Sequence, residues 1–219
     1  MIWDWTYTVE ILPILAKASI VTIEATLLSF VIALILGLIL ALLRMSGPVV
    51  GWLASAFVEL VRSTPLLIQI FFLFFVLPRV GIVLDAFAAG VIALSLHYAC
   101  YCSEVYRAGL EAVPRGQWEA CTALNLSSWS TFKNIILPQA IPPIVPALGN
   151  YLVALFKETP LLSAIAVLEL VQTAKMLGSE NFRYTEPMTV VGLTFLVLSL
   201  ISAAGIRWLE RRLNRRSVR

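Results

Sequence analysis

The chain has 219 residues, of which 60% are hydrophobic and 13% are charged, and its formal net charge is +3. Its mean hydropathy is +0.90. A soluble domain usually carries about 45–50% apolar and about 25% charged residues, and a small fold leaves much of its surface exposed. The composition therefore excludes a soluble enzyme, a disordered chain and a nucleic-acid-binding protein, and it predicts an all-α membrane protein.

Five segments are apolar and long enough to cross a bilayer, which takes about 20 residues at 1.5 Å per residue. The predicted spans cover about residues 20–43, 52–77, 84–107, 138–157 and 187–207. Arg62-Ser63-Thr64-Pro65 interrupts the second span, which ends at Pro78. Residues 1–17 predict a short amphipathic helix at the membrane interface. Residues 159–186 predict a partly buried or re-entrant segment followed by a surface loop.

Five spans place the two termini on opposite sides of the membrane, and the basic residues orient them. One side collects ten of the sixteen basic residues, namely Arg44, Arg107, Arg115, Lys133, Arg207, Arg211, Arg212, Arg215, Arg216 and Arg219. The other side has four, Lys17, Arg79, Lys175 and Arg183. The basic side is expected to be cytoplasmic, so the N-terminus is predicted outside and the C-terminus inside. We interpret the arginine-rich tail as an anchor on anionic lipid.

The longest polar segment between two spans, residues 109–137, predicts two short helices joined by a tight turn. Residues 117–124 favour the first helix, and Asn125 tolerates the left-handed conformation that would end it. Ser127 or Ser128 can cap the second helix. Pro138 is predicted to mark the start of the fourth span. Such a hairpin between spans is typical of a docking surface, and a plain connecting loop is the alternative.

The hairpin residues also resemble a known sequence motif. Glu119-Ala120-Cys121, Asn125 and Ile135-Ile136-Leu137-Pro138 resemble the EAA loop in permease subunits of bacterial ATP-binding-cassette (ABC) importers. The family pattern has the same spacing, but with Ala at the position of Cys121 and Gly at that of Asn125. Residues 59–69, 103–119 and 157–161 resemble further signatures of the polar amino-acid uptake branch.

The resemblance implies a multi-pass permease of the bacterial inner membrane with a type I ABC importer fold of five transmembrane helices. Its expected partners are two ATP-binding subunits, a second permease (identical or homologous) and an extracytoplasmic solute-binding protein. The residues implied in coupling to the ATPase are Gln117, Trp118, Glu119, Ala120, Leu124 and Asn125. The chain has no GxxxxGK[ST] motif, so ATP hydrolysis is expected on the partner. No enzymatic activity and no cofactor are expected of the chain itself.

Ionisable groups inside a span cost at least about 2.5–3.5 kcal/mol, so they predict a polar partner or a water-filled pathway. The candidate pathway residues are Glu59, Arg62, Gln69, His97, Tyr101, Lys157 and Glu158. Glu59 and Arg62 are three apart and can pair on one helix face, and Glu104 and Arg107 are interpreted as structural. A packed, hydrogen-bonded histidine is the alternative interpretation of His97. Lys157 and Glu158 can form an outer gate, meet the two charges of a zwitterion or contact the binding protein.

The cysteines do not predict a metal site, because Cys100 and Cys102 point to different faces of one helix. The substrate class expected from the resemblance is small polar zwitterions, either amino acids or related compatible solutes. The overall run of the sequence, including its opening MIWDWT, is similar to permeases for ectoine and hydroxyectoine; glutamine, histidine or arginine is the alternative substrate. The alternative class of protein is an ion-coupled secondary transporter or a small channel, which has no need of a cytoplasmic docking hairpin.

Overall fold

The computed structural model describes residues 3–217, with the side chains of residues 3–212. The side chains of Arg215 and Arg216, and the whole of Arg219, Met1 and Ile2, lie outside these limits. Within residues 3–217 the chain forms nine α-helices. They are α1 Trp5–Arg44, α2 Pro48–Arg62, α3 Leu66–Phe71, α4 Ala86–Glu111, α5 Arg115–Ala123, α6 Ser128–Thr131, α7 Leu137–Glu158, α8 Leu170–Glu180 and α9 Thr185–Ser217.

Short turns of π- and 3₁₀-helix extend three of these helices. A π turn and a 3₁₀ turn continue α3 to Val80, a π turn at Phe132–Ile136 joins α6 to α7, and a 3₁₀ turn continues α7 to Ile165. Four helical stretches are long and apolar enough to cross a membrane: Trp5–Arg44, Ala86–Glu111, Ser128–Ile165 and Thr185–Arg212. The pair α2 and α3 is bent by 101° at a short break and makes a fifth, broken pass.

The first helix differs from the prediction, because the described part of residues 1–17 is continuous with the first span. At 40 residues, α1 is about 60 Å long. Asp4 caps it by accepting hydrogen bonds from the backbone N–H of Thr6 and Tyr7 at 3.0 and 3.1 Å. Ile11 and Leu15 pack in one apolar cluster with buried residues of α8 and α9. This packing holds the first turns inside the bundle, so the prediction of a separate interfacial helix was wrong.

The fourth pass also begins earlier than predicted, at Ser128 instead of Pro138. The chain stays helical through Pro138 because a π turn precedes it, and the Leu137 N–H bonds the Phe132 carbonyl. The wider π turn relieves the clash that a proline ring makes with the preceding α-helical turn. Beyond this pass, the segment predicted as a surface loop contains the 11-residue helix α8.

The largest helix contact in the described chain is between α1 and α4, which run in the same direction. A stripe of buried small residues on α1 faces α4. The stripe consists of Ala25, Ser29, Ala33, Gly37 and Ala41. A Cβ on Gly37 would lie 2.6 Å from the Cys102 Cβ and 2.9 Å from the Ala99 carbonyl oxygen. Small residues at this spacing allow close backbone approach, which replaces the hydrophobic driving force that lipid does not supply.

The two ends of the bundle carry different structures. At the amino-terminal end, the Asp4 N–H donates to the Glu186 carboxylate at 3.2 Å, and the Tyr7 hydroxyl donates to the Leu177 carbonyl at 3.0 Å. Glu186 is also ion-paired with Arg183. The beginnings of α1 and α9 and helix α8 therefore meet at this end. At the other end, called the hairpin end below, α5 and α6 connect α4 to α7.

Candidate functional site

The hairpin formed by α5 and α6 is closed by a backbone turn. The Leu126 N–H donates to the Cys121 carbonyl at 3.1 Å, and the Asn125 N–H donates to the Thr122 carbonyl at 3.0 Å. Asn125 has a φ of 55°, the left-handed conformation predicted for it. This is the Schellman pattern, in which the residue after the helix reverses the chain and satisfies the last carbonyls.

Side chains then fix the hairpin against the bundle. The Ser127 hydroxyl accepts from the Ser130 N–H at 3.2 Å and caps α6. The Gln139 amide on α7 donates to the Gln117 side-chain oxygen on α5 at 3.3 Å. Cys121 is buried. Besides the chain connection through α6, a side-chain hydrogen bond therefore joins α5 of the hairpin to α7.

The outer face of the hairpin is apolar and uncovered. Trp118 is 39% exposed, Leu124 is 72% exposed and Trp129 is 70% exposed. Glu119 and Ala120 are also exposed. The Glu119 carboxylate makes no hydrogen bond or ion pair with the described part of the chain, so the hairpin is fixed by its turn and not by Glu119. Large exposed apolar side chains beside an unpaired charge form a surface suited to a protein partner.

The break between α2 and α3, called the elbow below, exposes backbone carbonyls that α-helical hydrogen bonds no longer satisfy. The Gln69 amide donates to the Val61 carbonyl at 2.7 Å, to the Thr64 carbonyl at 3.1 Å and to the Thr64 hydroxyl at 2.8 Å. The Gln69 side-chain oxygen lies 3.1 Å from His97 Nδ1. His97 is thus a packed, hydrogen-bonded histidine that positions the glutamine, and the elbow is satisfied internally.

A cluster of charges lies next to the elbow, centred on Glu104 of α4. Its Oε1 is 2.9 Å from Arg44 Nη1 and 3.1 Å from Arg62 Nη1, and its Oε2 is 3.0 Å from Arg107 Nη2. The Glu59 carboxylate, predicted as the partner of Arg62, is 4.0 Å away and 72% exposed. Arg62 pairs more closely with Glu104, because α2 packs against α4 through Val58, Val61 and Cys100.

Aromatic rings form a wall beside this cluster. The wall consists of His97, Tyr98 and Tyr101 on α4 and Tyr151 on α7, with ring centroids 5.2–6.2 Å apart between neighbours. The Arg62 guanidinium lies 5.2 Å from the Tyr101 ring. At the other end of the wall, the Glu158 carboxyl lies beside the Tyr98 hydroxyl, and its Oε2 is buried with no hydrogen-bond partner. The wall therefore has a cation at one end and a carboxylate at the other.

The predicted pathway residues accordingly fall into two groups. Arg62, Gln69, His97, Tyr101 and Glu158 line one connected region formed by α2, α3, α4 and α7. Glu59 and Lys157 are exposed and lie outside it. In the described residues no group of three His, Cys, Asp or Glu side chains is arranged to hold a metal ion.

Comparison with known proteins identifies the family. The family described as "Binding-protein-dependent transport system inner membrane component" matches residues 33–215. The chain belongs to this permease family. The probable amino-acid ABC transporter permease protein y4tG of Sinorhizobium fredii is 43% identical over 216 residues, covering 98% of this permease and 94% of the relative. The L-cystine transport system permease protein TcyB of Bacillus subtilis is 39% identical, covering 93% of this permease and 88% of the relative.

Solved structures agree on the fold. A chain of the crystal structure of an amino acid ABC transporter with histidines superposes with a TM-score of 0.91 at 34% identity, covering 97% of this permease and 100% of that chain. A chain of the MetNI methionine ABC transporter superposes with a TM-score of 0.80 at 20% identity, which supports the fold alone. The permease is an inner-membrane protein with the type I ABC importer fold.

Sequence reasoning missed the connection between Arg44, Arg62 and Glu104. The sequence interpretation of Arg44 concerns only the orientation of the chain, and that of Glu104 gives it a structural role together with Arg107. Partners on different helices leave no spacing signal. The one available signal was the excess of charges in apolar segments, which predicts partners without naming them.

Proposed function

We propose that this permease forms the translocation pathway of an ATP-driven importer and that its hairpin transmits ATP-driven closure from a separate ATPase subunit. The observation that carries the proposal is the uncovered hairpin surface of Trp118, Glu119 and Leu124 at one end of the bundle. A self-sufficient carrier or channel has no use for such a surface. The hairpin end is then cytoplasmic, in line with the excess of basic residues there.

We propose that the substrate is a small polar zwitterion that passes along the aromatic wall described above. Glu158 offers a buried, unpartnered carboxylate oxygen to a cationic group, and the neighbouring tyrosine rings favour a delocalised cation. Related permeases are described as transporting amino acids such as L-cystine and arginine. Ectoine and hydroxyectoine are zwitterions whose positive charge is delocalised, and they suit the same wall. We propose that Lys157, exposed beside Glu158, contacts the solute-binding protein or forms part of an outer gate.

Replacing Glu158 by Gln tests this substrate contact. The change removes the charge and keeps the size, so we expect uptake at low substrate concentration to fall about 10- to 100-fold, as for a lost charge-assisted hydrogen bond of about 1.5–3 kcal/mol. The measurement is the concentration dependence of uptake in proteoliposomes. The matched control is Glu180→Gln, at an exposed position on α8. An unchanged apparent affinity in Glu158→Gln would exclude the contact.

The choice of substrate is tested with the full complex, including its binding protein, in ATP-loaded proteoliposomes. Uptake of ectoine and hydroxyectoine is compared with uptake of arginine, glutamine, histidine and cystine. We expect ectoine or hydroxyectoine to be taken up at the lowest concentration. Uptake of an amino acid but not of ectoine or hydroxyectoine would support the importer mechanism and would exclude compatible solutes as the substrate. Uptake of none of these zwitterions would contradict the proposed substrate class.

A further inference from the structure

Glu104 joins three separate segments of the permease through one carboxylate. Arg44 lies at the end of α1, Arg62 ends α2 at the elbow, and Arg107 lies one turn further along α4. The Arg44 Nε also donates to the Ser55 hydroxyl of α2 at 3.2 Å. No other carboxylate in the described residues contacts arginines from three helices. Removing Glu104 would leave three guanidinium groups facing one another.

The ion pair with Glu104 is the main contact that connects Arg62 to α4. The Glu104 and Arg44 side chains are only 24% and 12% exposed. Ion pairs in such surroundings are screened less by solvent than surface pairs. Glu59, at 4.0 Å and 72% exposed, contributes little to holding Arg62. The Arg62 Nε is buried without a hydrogen-bond partner, and its guanidinium also lies 5.2 Å from the Tyr101 ring.

The same network reaches the hairpin along α4. Arg107 Nη1 donates to both oxygens of Glu111 at 2.7 and 2.8 Å, and Glu111 is the last residue of α4. Only three residues separate α4 from α5, and Val113 among them is buried in the core. A displacement of α5 therefore acts directly on the end of α4, and Glu104 connects that end to the elbow.

We propose that Glu104 is a positioning residue that makes the elbow move together with the hairpin. The inference rests on the proposed docking of an ATPase at the hairpin and adds the route by which that motion reaches the pathway. When the ATPase moves the hairpin, α4 moves with it, and the Arg62–Glu104 pair carries α2 and the elbow in the same direction. The aromatic wall, through Tyr101, and the Gln69–His97 contact both adjoin this joint.

The test compares two variants that each remove one guanidinium from the same Glu104 oxygen. Arg62→Gln disconnects the elbow, whereas Arg44→Gln releases α1 and leaves the elbow attached. Nitroxide labels are placed on cysteines introduced at Ser63 and Ala123, both exposed, with the three buried native cysteines replaced in all samples. The labelled permease is diluted with unlabelled permease in the full complex. The distance between the labels is measured in two substrate-free states of the complex. One state has no nucleotide, and the other is trapped with ATP bound.

In the parent and in Arg44→Gln we expect one narrow distance distribution that is the same in both nucleotide states. In Arg62→Gln we expect the distribution to broaden or shift by several ångströms on ATP trapping, and the substrate taken up per ATP hydrolysed to fall about tenfold. Because the distances are measured without substrate, a loss of substrate contact cannot produce the shift. Identical behaviour of the two variants would overturn the proposal.

Glu104→Gln provides a second measurement, provided that this variant folds. We expect its label distances to match those of Arg62→Gln. Glu180→Gln is its control, since Glu180 is exposed on α8 and lies outside the network. Co-purification of the ATPase distinguishes failure of the proposed function from failure of the role proposed for Glu104. If the ATPase does not bind the parent permease, the proposed function fails and this inference with it. If the ATPase binds and Arg62→Gln matches Arg44→Gln, only the role of Glu104 fails.

Discussion

Glu119→Lys is expected to abolish ATP-driven uptake while the permease still inserts and remains folded. Glu119 is exposed on the hairpin between Trp118 and Ala120 and has no partner among the described residues, so the fold does not depend on it. In a docked complex, a reversed charge at the centre of the surface leaves the partner's groups unpaired, and like-charge juxtaposition costs several kcal/mol. The measurements are uptake in proteoliposomes and co-purification of the ATPase subunit.

The control for this variant is Glu180→Lys, the same substitution at an exposed helical position near the amino-terminal end. We expect it to bind the ATPase like the parent protein. Normal uptake by Glu119→Lys would contradict docking at the hairpin. Loss of ATPase binding in both variants would mean that the effect is general, and would contradict a specific role for Glu119.

Gly37→Leu is expected to destabilise the permease more than any other single change within the α1–α4 contact. Even a Cβ at this position would lie 2.9 Å from the Ala99 carbonyl oxygen, which is backbone and cannot rotate away. The two helices must therefore separate along their small-residue stripe. Overpacking typically costs about 1–3 kcal/mol, and separation of the helices adds to it. The measurement is the thermal unfolding midpoint of the purified protein in detergent.

The matched control is Gly205→Leu in α9, where an added Cβ would meet nothing within 4 Å. Both changes remove a helical glycine from a membrane-spanning segment and add the same apolar side chain. We expect the midpoint of Gly205→Leu to stay near that of the parent protein. Equal midpoints for the two variants would mean that the close approach of α1 and α4 does not govern stability.

Features set by local sequence were predictable. Asn125 has the left-handed conformation because a hairpin needs it and because asparagine tolerates it. The break before Pro65 follows from the proline, which disfavours a helical conformation in the residue that precedes it. The number of passes follows from the length of the apolar segments.

Features set by contacts between distant residues were not predictable from spacing. The amphipathic character of residues 1–17 predicted a separate interfacial helix, but packing against α8 and α9 accompanies a first helix that is continuous with the span. The closer pairing of Arg62 with Glu104 than with Glu59 depends on how α2 packs against α4, which no local pattern contains. The meeting of Tyr151 with Tyr98 and Tyr101 likewise depends on how α7 crosses α4.

The most direct test of coupling through the hairpin is purification of the permease from its native membrane, followed by transport in proteoliposomes with and without internal ATP. We expect an ATPase and a second permease to co-purify, and uptake of substrate delivered by the binding protein to require ATP. Recovery of the chain alone, together with uptake that proceeds without ATP, would contradict this mechanism and favour a self-sufficient carrier.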